Sequence, residues 1–141
     1  MITPTRIEVT QSVSAGHRLK DYDGICSSLH GHNLRVVVRI ISTTFLDFKR
    51  VSDGLHQILQ QIDHAMVLEK GDPLVQALRP FGLRLVVLSV SPTTEALATW
   101  IFNGVSALYL RVDSVTVHET DRYAATALTA DTSVFVVSEK L

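Results

Sequence analysis

The sequence has little of what marks secreted, membrane-spanning or nucleic-acid-binding proteins. A single cysteine in 141 residues excludes an internal disulfide. Thirteen basic and fourteen acidic side chains give a net charge of -1, which leaves no excess of positive charge for nucleic acid or an anionic membrane. No long apolar run or amino-terminal signal pattern is visible. We therefore expect a soluble, cytoplasmic protein without a nucleic-acid or membrane partner.

The composition is otherwise that of an ordinary globular protein. Hydrophobic residues make up 46% of the chain and charged residues 19%. A chain of this length can bury a proper core. No repeat, low-complexity block or linker interrupts it. We expect one domain over residues 1–141.

The most unusual stretch of the sequence joins the only cysteine to two of the six histidines. Cys26, His30 and His32 lie within seven residues, directly before a β-rich segment over residues 34–41. Residues two apart on a strand point to the same face, so both imidazoles can reach one ion. The segment therefore predicts a metal site beside a thiol.

A third ligand is predicted at His17, the last residue of a strand expected over residues 6–17. The apolar residues of that strand hold mostly odd positions, and His17 continues this parity. His30 and His32 are likewise in phase with the inward-facing residues of the next strand. Each histidine alone is more simply an ordinary core or surface residue, but the shared parity of three favours a metal. Imidazole ligands indicate zinc.

Cys26 has three possible roles. A lone cysteine is commonly a small buried hydrophobe. In the polar loop before His30, however, a nearby cation would favour the thiolate and make it a base or nucleophile. As a fourth zinc ligand it would close the site and make it structural, whereas three ligands leave a position open.

The remaining periodicity predicts two main helices and further strands. Asp47 is a candidate cap for an amphipathic helix over residues 47–62, and Thr93 or Thr94 for a second helix. Residues 65–80 contain glycine and proline and are predicted to be irregular, with one short helix over 74–78. Strands are predicted over 81–90, 112–120 and 133–138, and residues 124–130 form a small-residue segment between the last two. This order favours an α+β arrangement, an antiparallel sheet with helices on one side.

Asp63 and His64 form a second candidate site at the end of the first helix. A carboxylate beside an imidazole can orient the ring and raise its basicity, which suits general acid/base chemistry. The pair can equally be decoration of a helix end, where a cationic imidazole is mildly favoured. Spacing alone does not decide between the two.

Glu119 is a carboxylate on the inward-facing parity of the predicted strand over residues 112–120. Burying it without partners would be unfavourable. A ligand edge with two N–H donors, or a structural salt bridge, would satisfy its oxygens.

With these residues in place, the sequence resembles the family of the 6-pyruvoyl-tetrahydropterin and 6-carboxy-5,6,7,8-tetrahydropterin synthases. The spacing of three residues between Cys26 and His30 is similar to that of the bacterial carboxy branch, whose enzymes serve queuosine (7-deazaguanine) biosynthesis. The matching segments follow the family's order and are Ala15-Gly16-His17-Arg18-Leu19, Cys26-x3-His30-Gly31-His32-Asn33, Asp47-Phe48, Asp63-His64, Pro92-Thr93-Thr94-Glu95 and Val117-His118-Glu119-Thr120.

The resemblance implies a tunnelling fold, with an antiparallel four-stranded sheet and two helices packed on one face. Subunits of this fold would assemble into a barrel, as a tetramer or hexamer, with active sites at their interfaces. It also implies a lyase that converts 7,8-dihydroneopterin triphosphate to 6-carboxy-5,6,7,8-tetrahydropterin, with release of acetaldehyde and triphosphate. A pyruvoyl-type elimination of triphosphate is the neighbouring alternative.

The resemblance also implies residue roles. His17, His30 and His32 would bind zinc, and Cys26 would be the base at the substrate side chain. Asp63 and His64 would be the partner relay, donated by a neighbouring subunit. Glu119, assisted by Thr93 and Thr94, would bind the pterin's amino-pyrimidine edge.

Two hypotheses that assign the chain to other classes of protein stay open at this point. The chain could be a non-catalytic pterin- or purine-binding protein whose zinc is structural, with Cys26 as fourth ligand. A zinc hydrolase on a different fold is the weaker option, because only Asp63-His64 or Glu119 could serve as its general base.

Overall fold

The structure is a computed structural model, and it describes residues 2–109 and 111–138. The elements fall in the order β-β-α-β-α-β-α-β-β. The strands within the described residues are β1 Thr5–His17, β2 His30–Ser42, β3 Ala65–Glu69, β4 Leu85–Leu88, β5 Val112–His118 and β6 Ala124–Ala127. The helices there are α1 Phe48–Leu59, α2 Pro73–Leu78 and α3 Thr94–Ser106.

The strands form one mixed sheet in the order β4-β3-β1-β2-β5-β6. Its centre is the long antiparallel hairpin of β1 and β2, which stays in register from the Thr5–Ser42 pair to the His17–His30 pair. β5 and β6 continue the antiparallel pattern on one side. On the other side β3 runs parallel to β1, and β4 parallel to β3.

The expected antiparallel four-stranded sheet is therefore wrong in strand number and in direction. β3 was missed because its five residues lie just before a segment rich in glycine and proline, which favours turns. β6 was missed because its alanines have low strand propensity, and pairing with β5 overrides that preference. A third helix, α2, is present in addition to the two expected ones, and it agrees with the short helix predicted over residues 74–78.

Two further predicted strands are shorter in the structure than expected. The strand expected over residues 81–90 is limited to β4, because Arg79–Phe81 forms a 3₁₀ turn that ends at Gly82 with φ 66°. The strand expected over residues 133–138 is reduced to one isolated bridge, between Val136 and Leu88.

α1 and α3 pack on the same face of the sheet, which we call the helix face. The main core lies there and contains Val13, Leu34, Val36, Leu97 and Ile101, each at most 4% exposed. The opposite face, which we call the open face, is mainly polar along the central hairpin, although Val37 is buried there. α2 lies on the open-face side of β3 and β4, where Val75 packs against Leu68 and Val87.

Side chains fix the starts of all three helices. Asp47, Asp72 and Thr93 each accept a hydrogen bond from a backbone N–H in the first turn. The predicted caps Asp47 and Thr93 are thereby confirmed, and the start of α3 is fixed close to the ends of β1 and β2. None of the helices in the described part of the chain has the length and hydrophobicity needed to cross a membrane.

Candidate metal centre

The β1–β2 register brings the three predicted histidines together on the helix face. His17 pairs directly with His30 across the hairpin, and His32 lies one step further along β2, opposite Ala15. The ring centroids are 4.6 Å apart for His17 and His30, 5.1 Å for His30 and His32, and 5.5 Å for His17 and His32. One nitrogen from each ring lies within 4.8 Å of the others. Three strand-end imidazoles therefore converge on one point.

Backbone carbonyls orient two of these rings. The Nδ1 atom of His17 lies 2.7 Å from the Pro92 carbonyl oxygen, and that of His30 lies 2.7 Å from the Ser28 carbonyl oxygen. A carbonyl oxygen only accepts, so each Nδ1 must carry the proton and donate it. The Nε2 lone pair is then left free, which is the arrangement that metal-binding histidines use.

The Nε2 atoms of these rings indicate that the site fits a metal ion. The Nε2 atoms of His17 and His32 are buried and have no hydrogen-bond partner among the described residues. An unpaired polar atom in that position is costly, and a metal bond would satisfy it. Burial lowers the pKa of His17, which favours the neutral imidazole that binds metals. His17, His30 and His32 could together hold a metal ion.

Glu119 lies beside this centre, just beyond the end of β5. Its Oε1 atom is 3.2 Å from His32 Nε2, although not in hydrogen-bonding geometry, and the Thr94 hydroxyl donates to Oε2. The Glu119 side chain is 23% exposed, so it can still accept from a ligand. Thr93 differs from Thr94, because its hydroxyl accepts from Ala96 N as the α3 cap.

Cys26 lies in a 3₁₀ turn, Ile25–Ser27, within the loop that joins β1 to β2. The thiol is partly exposed, and the cluster of possible ligand atoms found in the described residues does not include it. This geometry does not support a fourth, sulfur ligand, and it leaves the thiol available for another role.

An ion pair holds the start of this loop. Arg18 donates two hydrogen bonds to the buried Asp72 carboxylate, from Nε at 2.8 Å and from Nη2 at 2.6 Å. Asp72 also caps α2, since its Oδ1 accepts from Leu74 N at 2.9 Å. The Leu19 N–H donates to the Cys26 carbonyl oxygen at 2.8 Å and closes the loop on itself. Sequence reasoning missed Asp72, although an Asp directly before a Pro is a recognisable helix-start signal.

Asp63 and His64 lie in a turn between α1 and β3. His64 Nδ1 donates to Asp63 Oδ2 at 3.0 Å, and Ser14 N donates to Asp63 Oδ1 at 3.2 Å. The hydrogen bond from His64 lowers the pKa of the Asp63 carboxyl, which stays ionised and orients the ring. The pair is therefore a contact and not mere decoration of a helix end.

The His64 ring does not belong to the cluster of three histidines, but it borders the same open cleft as one of them. The ring is 79% exposed, and the cleft, of about 360 Å³, is also lined by His32, Ser14 and Met66. Ser14 and Met66 have the open-face parity of their strands. The two predicted groups are thus at the same end of the sheet, with the triad on the helix face and His64 towards the open face.

Comparison with known proteins identifies the class to which this fold and site belong. The family model of 6-pyruvoyl tetrahydropterin synthase matches residues 6–129. The chain therefore belongs to the 6-pyruvoyl tetrahydropterin synthase family, as its motifs predict.

Curated relatives carry the name of the carboxy branch. The chain is 41% identical over 88 residues to a probable 6-carboxy-5,6,7,8-tetrahydropterin synthase of Halobacterium salinarum, covering 60% of this chain and 59% of that protein. It is 33% identical over 92 residues to a 6-carboxy-5,6,7,8-tetrahydropterin synthase of Synechocystis, covering 64% and 67%. The match spans less than two thirds of the length of the Halobacterium relative.

Solved structures share the fold at lower identity. An uncharacterized protein from Wolinella succinogenes superposes with a TM-score of 0.78 at 20% identity, over 89% of this chain and 98% of that one. The 6-pyruvoyl tetrahydropterin synthase of Caenorhabditis elegans gives 0.69 at 21% identity, over 92% and 98%. The chain therefore has the fold of this family, and the barrel of subunits expected with it stays a prediction.

Proposed function

We propose that the chain is a zinc-dependent lyase of the 6-carboxy-5,6,7,8-tetrahydropterin synthase type. Its substrate would be 7,8-dihydroneopterin triphosphate, and with one water the products would be the carboxytetrahydropterin, acetaldehyde and triphosphate. The observation that carries the proposal is the convergence of His17, His30 and His32 beside a carboxylate, with two buried Nε2 atoms unpaired. The names of the curated relatives support the carboxy product.

The three histidines would hold zinc through one ring nitrogen each. Three protein ligands are typical of a catalytic zinc with an open position. When bound, the ion would polarise the hydroxyl groups of the substrate side chain and acidify the adjoining C–H. The Pro92 and Ser28 carbonyls would keep the His17 and His30 rings in the binding tautomer.

Cys26 would be the base that removes a proton from the substrate side chain. A partly exposed thiol outside the ligand cluster is free to approach a bound molecule. The Arg18–Asp72 ion pair would keep the loop that carries it against α2. Cys26 and the triad would then act on the same side chain from the same subunit.

Asp63 and His64 would return the proton as the partner relay. Asp63 would orient the imidazole, as a carboxylate does for a general acid/base histidine. Because His64 is directed towards the open face, we infer that the pair serves the site of a neighbouring copy. Active sites would then be completed at subunit interfaces of a homo-oligomeric barrel.

Glu119 would bind the amino-pyrimidine edge of the pterin. Two parallel N–H donors match a carboxylate, and such charge-assisted hydrogen bonds are strong. Thr94 would hold the carboxylate in place through its hydroxyl. Thr93 would contribute mainly by fixing the start of α3, on which Thr94 lies.

Product analysis tests the proposal. Purified, zinc-loaded protein is incubated with 7,8-dihydroneopterin triphosphate, and acetaldehyde is trapped as a hydrazone and measured by mass spectrometry. We expect acetaldehyde and triphosphate in equal amounts. Triphosphate release with all side-chain carbons retained in the pterin would assign the pyruvoyl-type reaction. Zinc-loaded protein that binds the pterin but releases neither product would indicate a non-catalytic pterin-binding protein.

A further inference from the structure

The turn that carries Asp63 and His64 is held by an arginine from a different element. Arg84 lies immediately before β4, and its side chain reaches back to the end of α1. Nη1 donates to the Asp63 carbonyl oxygen at 2.7 Å, and Nη2 donates to the Gln60 carbonyl oxygen at 2.5 Å. One guanidinium therefore bridges two backbone carbonyls of the turn.

The position of these carbonyls explains why a cation lies there. α1 ends at Leu59, and its last carbonyls accept from backbone N–H groups of the turn, whereas the Gln60 and Asp63 carbonyls beyond it accept from Arg84. The carboxyl end of a helix also carries the negative end of its dipole, which favours a nearby positive charge. The planar guanidinium can donate in two directions at once, whereas a lysine ammonium is a flexible point charge.

The turn needs support because its backbone is unusual. His64 has φ 57°, in the left-handed region that a residue with a side chain rarely adopts. On one side, Ser14 of β1 holds the turn through His64 N, at 2.6 Å, and through the Asp63 carboxylate. On the other side is Arg84, which is itself fixed because its carbonyl accepts from Met66 N at 2.8 Å.

We propose that Arg84 is a positioning residue for the Asp63–His64 pair, because it fixes the backbone from which both side chains project. The proposal rests on the proposed function, in which this pair transfers a proton. Arg84 touches no reacting atom in this account. Its charge also lowers the pKa of the Asp63 carboxyl. The proposal is that Arg84 acts on turnover through the orientation of His64.

A double-mutant cycle separates positioning from simple stabilisation of the α1 terminus. Arg84→Ala is made in the native chain and in His64→Ala, and kcat, KM and zinc content are measured in all four proteins. In the native background we expect kcat to fall about ten- to a hundredfold, the effect of a small misplacement, with KM and zinc unchanged. In the His64→Ala background we expect no further fall, since the group being positioned is gone.

A readout independent of activity follows the Asp63 carboxyl by 13C NMR. The His64 hydrogen bond keeps the pKa of Asp63 below its ordinary value of 3.8, and it depends on the turn geometry. Because the Arg84 charge itself also lowers this pKa, Arg84→Ala should raise it in both backgrounds, and we expect a larger rise in the native chain, where the His64 hydrogen bond is lost as well. Arg84→Lys keeps the charge and should recover kcat in part. Arg50→Ala, an exposed arginine of α1, is the matched control and should change neither quantity.

The outcomes are distinct. An equal loss of kcat in both backgrounds, or a rise of the Asp63 pKa on Arg84→Ala that is as large in His64→Ala as in the native chain, would overturn the proposal. If the His64→Ala protein has no measurable turnover, or the native protein has none, the Asp63 titration decides alone. A native protein without turnover contradicts the proposed function, whereas an equal rise of the Asp63 pKa in the two backgrounds contradicts the role of Arg84.

Discussion

The candidate metal centre and the two groups proposed for proton transfer are held in place by different means. His17, His30 and His32 project from the ends of two long strands, and one hairpin register fixes all three. Cys26 lies in a loop, and Asp63 and His64 lie in a turn with a left-handed residue. Ion pairs and side-chain hydrogen bonds hold both segments. The candidate site thus joins a proposed metal-binding part, fixed by one hairpin register, to parts that depend on distant side chains.

The largest effect should come from removing a strand-borne ligand. We expect His17→Ala to lose bound zinc and to lower kcat/KM by about a thousandfold or more, since a catalytic metal contributes several kcal/mol. Zinc per chain is measured by elemental analysis, and turnover by acetaldehyde release. His56→Ala, which removes an exposed histidine of α1, is the control and should keep both. A His17→Ala protein with full zinc would remove His17 from the centre.

Removing the thiol of Cys26, which lies in a loop, should lower turnover without loss of zinc. We expect Cys26→Ala to lower kcat by about a hundred- to ten-thousandfold, the usual contribution of a general base, with zinc still near one per chain. Cys26→Ser should retain a small part of the activity. If zinc is lost together with activity, Cys26 belongs to the metal-binding part and the contrast between the two parts fails.

Glu119 lies between the two parts, beside His32 but held by Thr94 of α3. Glu119→Gln keeps the shape and removes the charge. Hydrogen bonds to a charged group contribute about 1.5–3 kcal/mol, so KM for the pterin should rise at least about tenfold, with zinc content unchanged. Unchanged KM would place the pterin edge elsewhere.

The smallest effect on chemistry should come from the ion pair that supports the loop. Asp72→Asn leaves Arg18 without its carboxylate, and breaking such a buried pair costs about 3 kcal/mol of unfolding free energy. Turnover at low temperature should change far less than stability. The free energy is measured by urea unfolding of EDTA-treated protein, which keeps the zinc contribution out of the comparison.

The effect of Asp72→Asn on the free energy of unfolding should also depend on pH. The hydrogen bonds from Arg18 lower the pKa of Asp72 below its ordinary value of 3.8. A carboxyl with a lowered folded-state pKa stabilises the fold above the unfolded-state value and loses that contribution as the pH falls through the folded-state value. The difference between native and Asp72→Asn proteins should therefore be full at neutral pH and shrink under acid. A constant difference would contradict the ion pair.

The contrast also explains what the sequence could predict. The parity of His17, His30 and His32 is a local, period-two pattern, and a hairpin turns it directly into a shared position. Thr93 was predicted as a cap for the same reason, since capping depends on a few adjacent residues. The inward-facing parity of Glu119 was predicted from its phase with the valines of β5, which are buried.

What depends on tertiary pairing could not be predicted in the same way. The short β3 forms because it lies parallel between β1 and β4, and β6 forms from alanine and threonine because β5 supplies the partners. Asp72 bonds to Arg18, which lies 54 positions away in the sequence, and Arg84 bonds to Asp63, which lies 21 positions away. No periodicity records such long-range contacts.

X-ray absorption at the zinc edge of the purified protein tests the central claim most directly. The account predicts three imidazole nitrogens at about 2.0–2.1 Å and one further light atom, with the same spectrum for Cys26→Ala. A sulfur neighbour at about 2.3 Å, or fewer than three imidazoles, would contradict it.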